Sequence, residues 1–340
     1  MNKVKATRGR LIFPALIGGV FLVFLAGIGW GSTPIPLKQI LKILKGAVIE
    51  NPAAATIVWD IRMPRTVAAL IGGAALAVSG LLLQILFRNP VVDSFVLGIS
   101  SGSSLAVGLV MLAGMTFGMR GNLPLLVILA ALSGALLVMI LVLSLARFLP
   151  DLVSLLVVGL FFGYICNAVN SFLMAFSQKE QLHTYLNWSF GSFSGFTWSQ
   201  VGVLTLISLP AFGYSFFLSK PLNALLLGED YARSIGVDHL RLRRRIVWVT
   251  GILTAIVTAY AGPVAFIGLA VPHLGRLVFK TADNRALIPA ILLLGAIVTG
   301  VCDLGARTLM SPIELPLTSV TALFGAPLVI YLVMRRKQRR

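Results

Sequence analysis

Charge is scarce in this chain: Asp, Glu, Lys and Arg make up 11% of its 340 residues, where a soluble globular domain carries about 25%. The shortage is steepest for acids, with 11 Asp and Glu against 28 Lys and Arg and a formal net charge of +17. Histidine occurs three times and cysteine twice, too few for a disulfide scaffold or a Cys/His metal cluster. Cys166 and Cys302 both stand in apolar contexts and read as small buried hydrophobes. Catalytic signatures are missing as well: there is no HExxH, no Ser-centred nucleophile motif and no Gly-rich Walker loop. Any ATP hydrolysis linked to this protein must come from another chain.

What fills the space is apolar. Hydrophobic residues account for 58% of the chain and the mean hydropathy is +0.95. The apolar material recurs in blocks of roughly 20 residues, each able to span about 30 Å as a helix. This pattern predicts an all-α, polytopic membrane protein forming one transmembrane domain over 1–340. Ten spans can be drawn, at 11–31, 64–83, 95–116, 123–146, 151–175, 198–218, 244–261, 263–279, 286–306 and 317–334. The eighth is interrupted by Gly262, Pro263, Gly268 and Pro272, breaks that are tolerated where neighbours re-satisfy the backbone. MNKVKATRGR ahead of the first run suits a signal peptide, but the run from Leu11 to Trp30 is long for one and GWGSTPIP offers no convincing cleavage site. It reads as a retained first span.

With both termini assigned to the cytoplasm, that side collects 20 of the 28 basic residues, from Lys3 and Arg8 through Arg147 and Arg241 to Arg339 and Arg340. This is the positive-inside pattern, and it accounts for the net charge without a nucleic-acid partner. Nucleic-acid binding would want stacking aromatics beside a basic groove, whereas these charges cap membrane helices.

Three arginines break the pattern. Arg62 and Arg65 flank Met63 and Pro64 at the outer start of the second span, and Arg307 closes the ninth, four residues after Asp303. An exposed basic cluster there suits carboxylates on an external partner; an i,i+4 ion pair between Asp303 and Arg307 and phosphate anchoring are the alternatives. Asp303, Glu314 and His273 lie near or within membrane depth, where ionisable groups are costly, but at span ends or beside a proline break rather than mid-membrane. Two loops exceed mere connectors. The external one, 176–197, mixes aromatics with Gly and Ser and suits a short re-entrant or interfacial helix, an aromatic belt being the plainer reading. The cytoplasmic one, 219–243, carries LNALLLGEDYARSIGV, two short helices joined at Gly228 to Asp230 or else one amphipathic helix on the inner leaflet. Gly72, Gly73, Ala77 and Gly80 in the second span, and Gly98, Gly102 and Gly108 in the third, permit close helix approach.

These segments resemble the FecCD family, the permeases of type II ABC importers for iron-siderophores, haem and vitamin B12. The resemblance rests on RMPR at 62–65, GGAALAVSGLLLQILFRNPVVDSFVLGISSG at 72–102, LLLGEDYARSIGV at 225–237, GPVAFIGLAVPHLGRLVF with DNR at 283–285, and Asp303 to Arg307 followed by ELPLTSVTALFGAPLVIYLV from Glu314. They occur in family order over nearly the whole chain. The resemblance implies a homodimer of ten-helix subunits in the bacterial inner membrane, with substrate crossing at the dimer interface by alternating access. Two cytoplasmic ATPase subunits, carrying the ATP and Mg, dock below, and a periplasmic or lipid-anchored binding protein docks above; this chain binds no cofactor and is no enzyme. By resemblance, Leu226, Leu227, Gly228, Glu229, Ala232, Arg233, Ile235 and Gly236 belong to the coupling helices, and Arg62, Arg65 and Arg307 meet acidic residues of the binding protein. The path is expected along 151–175, 317–334 and a short helix at 185–195. Two departures from the family pattern, Asn284 beside Asp283 and Val91-Val92 after RNP, touch neither the coupling nor the arginine positions and are expected to matter little.

The implied cargo is a metal chelate, and Asn167, Asn170, Ser171 and Phe172 suit a wide interface for one. Haem would find His183 with Tyr185. An importer of the same family for an oxyanion such as molybdate, and an ion-coupled secondary carrier working alone, are the competing readings.

Overall fold

The structure, a computed structural model, describes residues 2–31, 33–46, 52–115, 123–145, 148 and 152–337. Arg147, Arg339 and Arg340 of the basic side lie outside them. The described residues are helical: α1 (Asn2–Gly29), α2 (Leu37–Leu44), α3 (Pro52–Thr56), a π-helical turn (Ile57–Arg62), α4 (Met63–Leu86), a 3-10 turn (Ser94–Leu97), α5 (Ile99–Met111), α6 (Leu123–Leu145) and α7 (Leu152–Phe176). There follow α8 (Lys179–Ser189), α9 (Trp198–Phe217), α10 (Ser219–Leu227), α11 (Glu229–Ser234), α12 (His239–Ala261), α13 (Ile267–Phe279), α14 (Asn284–Thr308) and α15 (Leu317–Lys337).

Seven of these segments are long and apolar enough to cross a membrane, and they coincide with seven of the ten predicted spans. The predicted spans at 95–116, 263–279 and 317–334 fall on shorter apolar helices, Ile99–Met111, Ile267–Phe279 and Leu317–Pro327. The local chain explains the first two. Gly98 takes a left-handed conformation with φ 74° and delays the start of α5, and residues 262–266 leave the helix before α13, with Gly262 at φ 71° and Phe266 left-handed at φ 69°. The carbonyls freed by that second break do not go unpaired: Thr318 Oγ1 donates to Pro263 O at 2.8 Å and Thr321 Oγ1 to Ala265 O at 2.9 Å. Gln84 Nε2 donates to Gly268 O at 3.2 Å. Polar side chains of α15 and α4 thus make irregular backbone tolerable inside a membrane protein.

Helix α4 is the centre of the bundle, buried from Pro64 almost to its end and packed by α14, α12, α13 and α9. Its small residues make that possible. A Cβ placed on Gly73 would collide with Thr299 and the Gly295 carbonyl of α14, and one on Gly80 with the Gly268 backbone at the start of α13. Backbones approach this closely only where side chains are absent, and the dispersion attraction between them stands in for a hydrophobic drive that lipid does not supply. Asp238 and Asp283 cap α12 and α14, accepting from Arg241 N and Arg285 N, both at 3.0 Å. The Arg241 backbone N–H holds the Asp238 carboxyl below its ordinary value.

Candidate functional site

Arg62, Arg65 and Arg307 are not exposed. Their relative exposures are 3% for Arg62, 6% for Arg65 and 7% for Arg307, which corrects the expectation of a free basic cluster. The reason is local supply of acceptors. Arg65 donates from Nε and Nη2 to Asp303 Oδ1 at 3.0 and 2.9 Å and from Nη2 to Glu314. Arg62 turns onto the end of α1, donating to the Ile28 and Gly29 carbonyls at 2.8 and 3.1 Å and to that of Thr33. Arg307 Nη2 donates to Gly27 O at 2.8 Å, with its Nε 3.7 Å from Asp303 Oδ2. Helix C-terminal carbonyls lack intrahelical partners and sit at the negative end of the helix dipole, so cations settle there. The i,i+4 pair is present but secondary, because Arg65 takes the closer position on Asp303.

Four of the six path candidates share one cavity. A cavity of about 400 Å³ between α5, α7 and α8 is lined by Asn167, Asn170, Ser171 and Tyr185 together with Ser100, Ser101, Ser104 and Ser189. Asn170 and Ser100 are buried, at 3% and 1% exposure, and neither Asn170 Oδ1 nor Ser100 Oγ has a hydrogen-bond partner. Buried polar atoms are ordinarily paired, so their presence in a cavity wall marks a place that receives water or a polar solute. Tyr185 is buried, its hydroxyl 3.5 Å from Ser104 O, and burial pushes its phenol up to about 12; it stays neutral. No charged side chain is among the described lining residues. Phe172 and His183 lie outside this cavity: Phe172 is 68% exposed on α7, and His183 Nδ1 lies 3.2 Å from Asn187 Nδ2 on the open side of α8. The short helix after α7 runs 179–189 rather than 185–195, starting where the Gln181 side chain accepts from Gln178 N.

At the other end of the molecule, α10 and α11 meet at Gly228, whose φ of 132° only glycine adopts without strain. Leu226, Leu227, Tyr231 and Ile235 are exposed around this corner while Ala232 is buried beneath it. Glu229 pairs with Arg233 at 3.4 Å and lies 3.6 Å from His239. Gly236, with φ 85°, turns the chain towards α12. Asn284, read from the sequence as remote from this region, is tied to it: its N and Nδ2 both donate to Asn223 Oδ1 of α10 at 2.8 Å, and Asn223 Nδ2 donates to Asp283 Oδ1 at 2.6 Å. Spacing gives no hint of a contact across 61 positions. Elsewhere, Asn89 caps its own turn by accepting from Val91 N, but Gln84 spans to α13, where Arg276 donates to its Oε1 at 2.7 Å. His273 Nδ1 lies 2.9 Å from Leu269 O. Among the described residues, no group of three His, Cys, Asp or Glu could hold a metal ion.

Comparison with known proteins places this geometry. Residues 18–335 match the FecCD transport family. The vitamin B12 import system permease protein BtuC of Klebsiella pneumoniae is 39% identical over 283 residues, 83% of each chain. That of Vibrio parahaemolyticus is 36% identical over 316 residues, covering 91% of this chain and 94% of the other. A solved structure described as an inward-facing conformation of a metal-chelate type ABC transporter superposes with a TM-score of 0.83 at 29% identity, covering 96% of this chain and 99% of that one.

Proposed function

The chain belongs to the FecCD transport family, and on that premise we propose that it is the permease subunit of an ATP-driven metal-chelate importer, acting as a homodimer. The observation that carries this reading is the two-sided character of α7. Phe161, Tyr164, Ile165, Phe172 and Phe176 are exposed on it, an apolar face that a second copy would cover. Its Asn167, Asn170 and Ser171 open onto the polar cavity, beside which cargo would pass. In this reading the chain spans the inner membrane ten times with both termini cytoplasmic. Residues 219–243 then lie in the cytoplasm, where α10 and α11 seat in the ATPase subunits, and nucleotide-driven closure there switches the central path between outward and inward access. The substrate-binding protein docks on the opposite face, near the segments that Arg62, Arg65 and Arg307 hold together. Hydrolysis of ATP, with its Mg, belongs to the partner. The uncharged cavity favours a chelate over a bare oxyanion, which would want a cation or a helix N-terminus.

The test is reconstitution of this chain with its ATPase in liposomes, the cognate binding protein being loaded in turn with corrinoid, haem, ferric siderophore or molybdate. Ligand-specific, ATP-dependent uptake is expected. Uptake driven by an ion gradient without the ATPase would overturn the importer in favour of a carrier.

A further inference from the structure

An apolar groove of about 900 Å³ lies between the second half of α1, the segment leading to α2, and α14, lined among others by Leu22, Leu25, Ala26, Trp30, Val301 and Leu304. Its floor belongs to two helices long and apolar enough to cross a membrane, and its rim is Gly31 with Thr33 to Leu37. Arg62 fixes that rim through its bonds to Gly29 and Thr33. A groove of this size falls in the range that receives small-molecule ligands, about 300–1,000 Å³.

Beside the rim runs α2, on which, with its C-cap Lys45, three stripes can be traced. At about 100° per residue, Ile40 and Ile43 face one way, and both are buried in a cluster with Ile28 of α1 and with Val58. Leu37, Leu41 and Leu44 form the next stripe within about 60°, and they are 73%, 56% and 36% exposed. Lys38, Lys42 and Lys45 form the third, also within about 60°, and all three are exposed. A helix bathed only in water has no reason to show a leucine row beside its buried isoleucines. A helix lying at the membrane surface does, with leucines against acyl chains and lysines at the headgroups. Exposed Trp30 at the same level is the aromatic expected at such a boundary. These lysines are also three of the few basic residues on the surface opposite the N-terminus, the side that the positive-inside pattern otherwise depletes.

We propose that this groove is a binding site for an anionic phospholipid, an acyl chain occupying the cleft between α1 and α14 and the headgroup phosphate meeting Lys38, Lys42 and Lys45. The groove gives affinity for any diacyl lipid; the lysine row gives preference for negative charge. Each lysine near an anionic headgroup contributes about a fivefold preference. An acidic protein surface would use the lysines but leave the leucine row and the groove unoccupied, which is why lipid is the occupant favoured. The inference rests on the membrane-spanning fold and not on the cargo or the importer reading.

The experiment uses the full chain in nanodiscs of equimolar phosphatidylglycerol and phosphatidylcholine with identical acyl chains, followed by mild solubilisation and native mass spectrometry of the lipids retained. The wild-type protein is expected to retain phosphatidylglycerol over phosphatidylcholine by at least about fivefold. Lys38→Gln, Lys42→Gln and Lys45→Gln together should bring the ratio near one while leaving the total lipid retained unchanged, and Ala26→Trp, which fills the groove, should lower retention of both lipids. Should Ala26→Trp fail to fold, the surface lysine variant decides alone. A wild-type ratio near one, or a ratio indifferent to the lysine substitutions, would overturn the proposal. So would a lysine variant that keeps its lipid preference yet no longer captures the binding protein, since the row would then belong to an acidic protein surface.

Discussion

Arg65 and Asp303 stand 238 positions apart and close a buried ion pair in which the guanidinium Nε and Nη2 both reach Asp303 Oδ1, at 3.0 and 2.9 Å. The pair clamps the start of α4 to the end of α14, and Glu314 joins it from the loop ahead of α15. Removing one member of a buried pair strands the other charge and costs about 3–5 kcal/mol, whereas apolar replacement of both is often tolerated. Asp303→Asn should therefore lower the thermal midpoint of the purified protein sharply. Arg65→Met combined with Asp303→Leu should recover much of the loss. A single variant as stable as the wild type would show that the pair contributes nothing.

The glycines of α4 make a sharper contrast. Gly80→Val would drive two methyl groups into the Gly268 backbone, while Gly18 of α1 has no atom within 4 Å of where its Cβ would stand. Overpacking costs about 1–3 kcal/mol where side chains can give way and more where backbone is the obstacle. Gly80→Val is expected to abolish recovery of folded protein from membranes, and Gly18→Ala to leave yield and melting unchanged. Equal yields would contradict the close α4–α13 crossing.

The membrane class, the long helices and the close-packed α4 were legible because hydropathy and small-residue spacing are local signals. Long-range pairing was not. Position along the chain puts Arg62, Arg65 and Arg307 in the right neighbourhood, but nothing local says that Asp303 and Glu314 would converge on Arg65 or that the end of α1 would absorb the other two. The half-length α5 and α13 were blurred for a related reason: Gly98 and residues 262–266 break the helix inside runs that remain apolar throughout. The amphipathic α2 is short enough to hide between spans in a hydropathy profile.

The cavity between α5, α7 and α8 separates stability from function. Asn170 Oδ1 is buried against Gly108 without a hydrogen bond, so Asn170→Ala forfeits little and should shift stability by less than about 1 kcal/mol. Ser171→Trp, on the exposed side of the same helix turn, should instead obstruct passage. Uptake in liposomes is expected to fall at least about tenfold for Ser171→Trp, while assembly with the ATPase stays intact. Undiminished uptake would place the path elsewhere.

Asn284 offers a test of how rigidly the α10–α11 corner is held. Its Nδ2 is buried against Asn223 Oδ1, which also accepts from the Asn284 backbone, and Asp283 anchors the other end of the Asn223 amide. Asn284→Ala removes one donor and leaves the backbone bond, a loss of about 0.5–1.5 kcal/mol, too small to unfold the bundle but enough to loosen a nine-residue helix at its junction with α14. Asn223→Ala removes all three bonds and leaves Asp283, the Asn284 backbone N–H and the Asn284 amide with one partner fewer each. Hydrogen exchange should therefore speed up across Ser219–Leu227 in both variants, more so in Asn223→Ala, with α4 and α14 unaffected. If these helices transmit nucleotide closure, the same order should appear in ATP-dependent uptake, which would fall while ATP hydrolysis continued. Faster exchange with unchanged coupling would keep the structural role of the Asn223 and Asn284 pair and remove α10 from the transmission path.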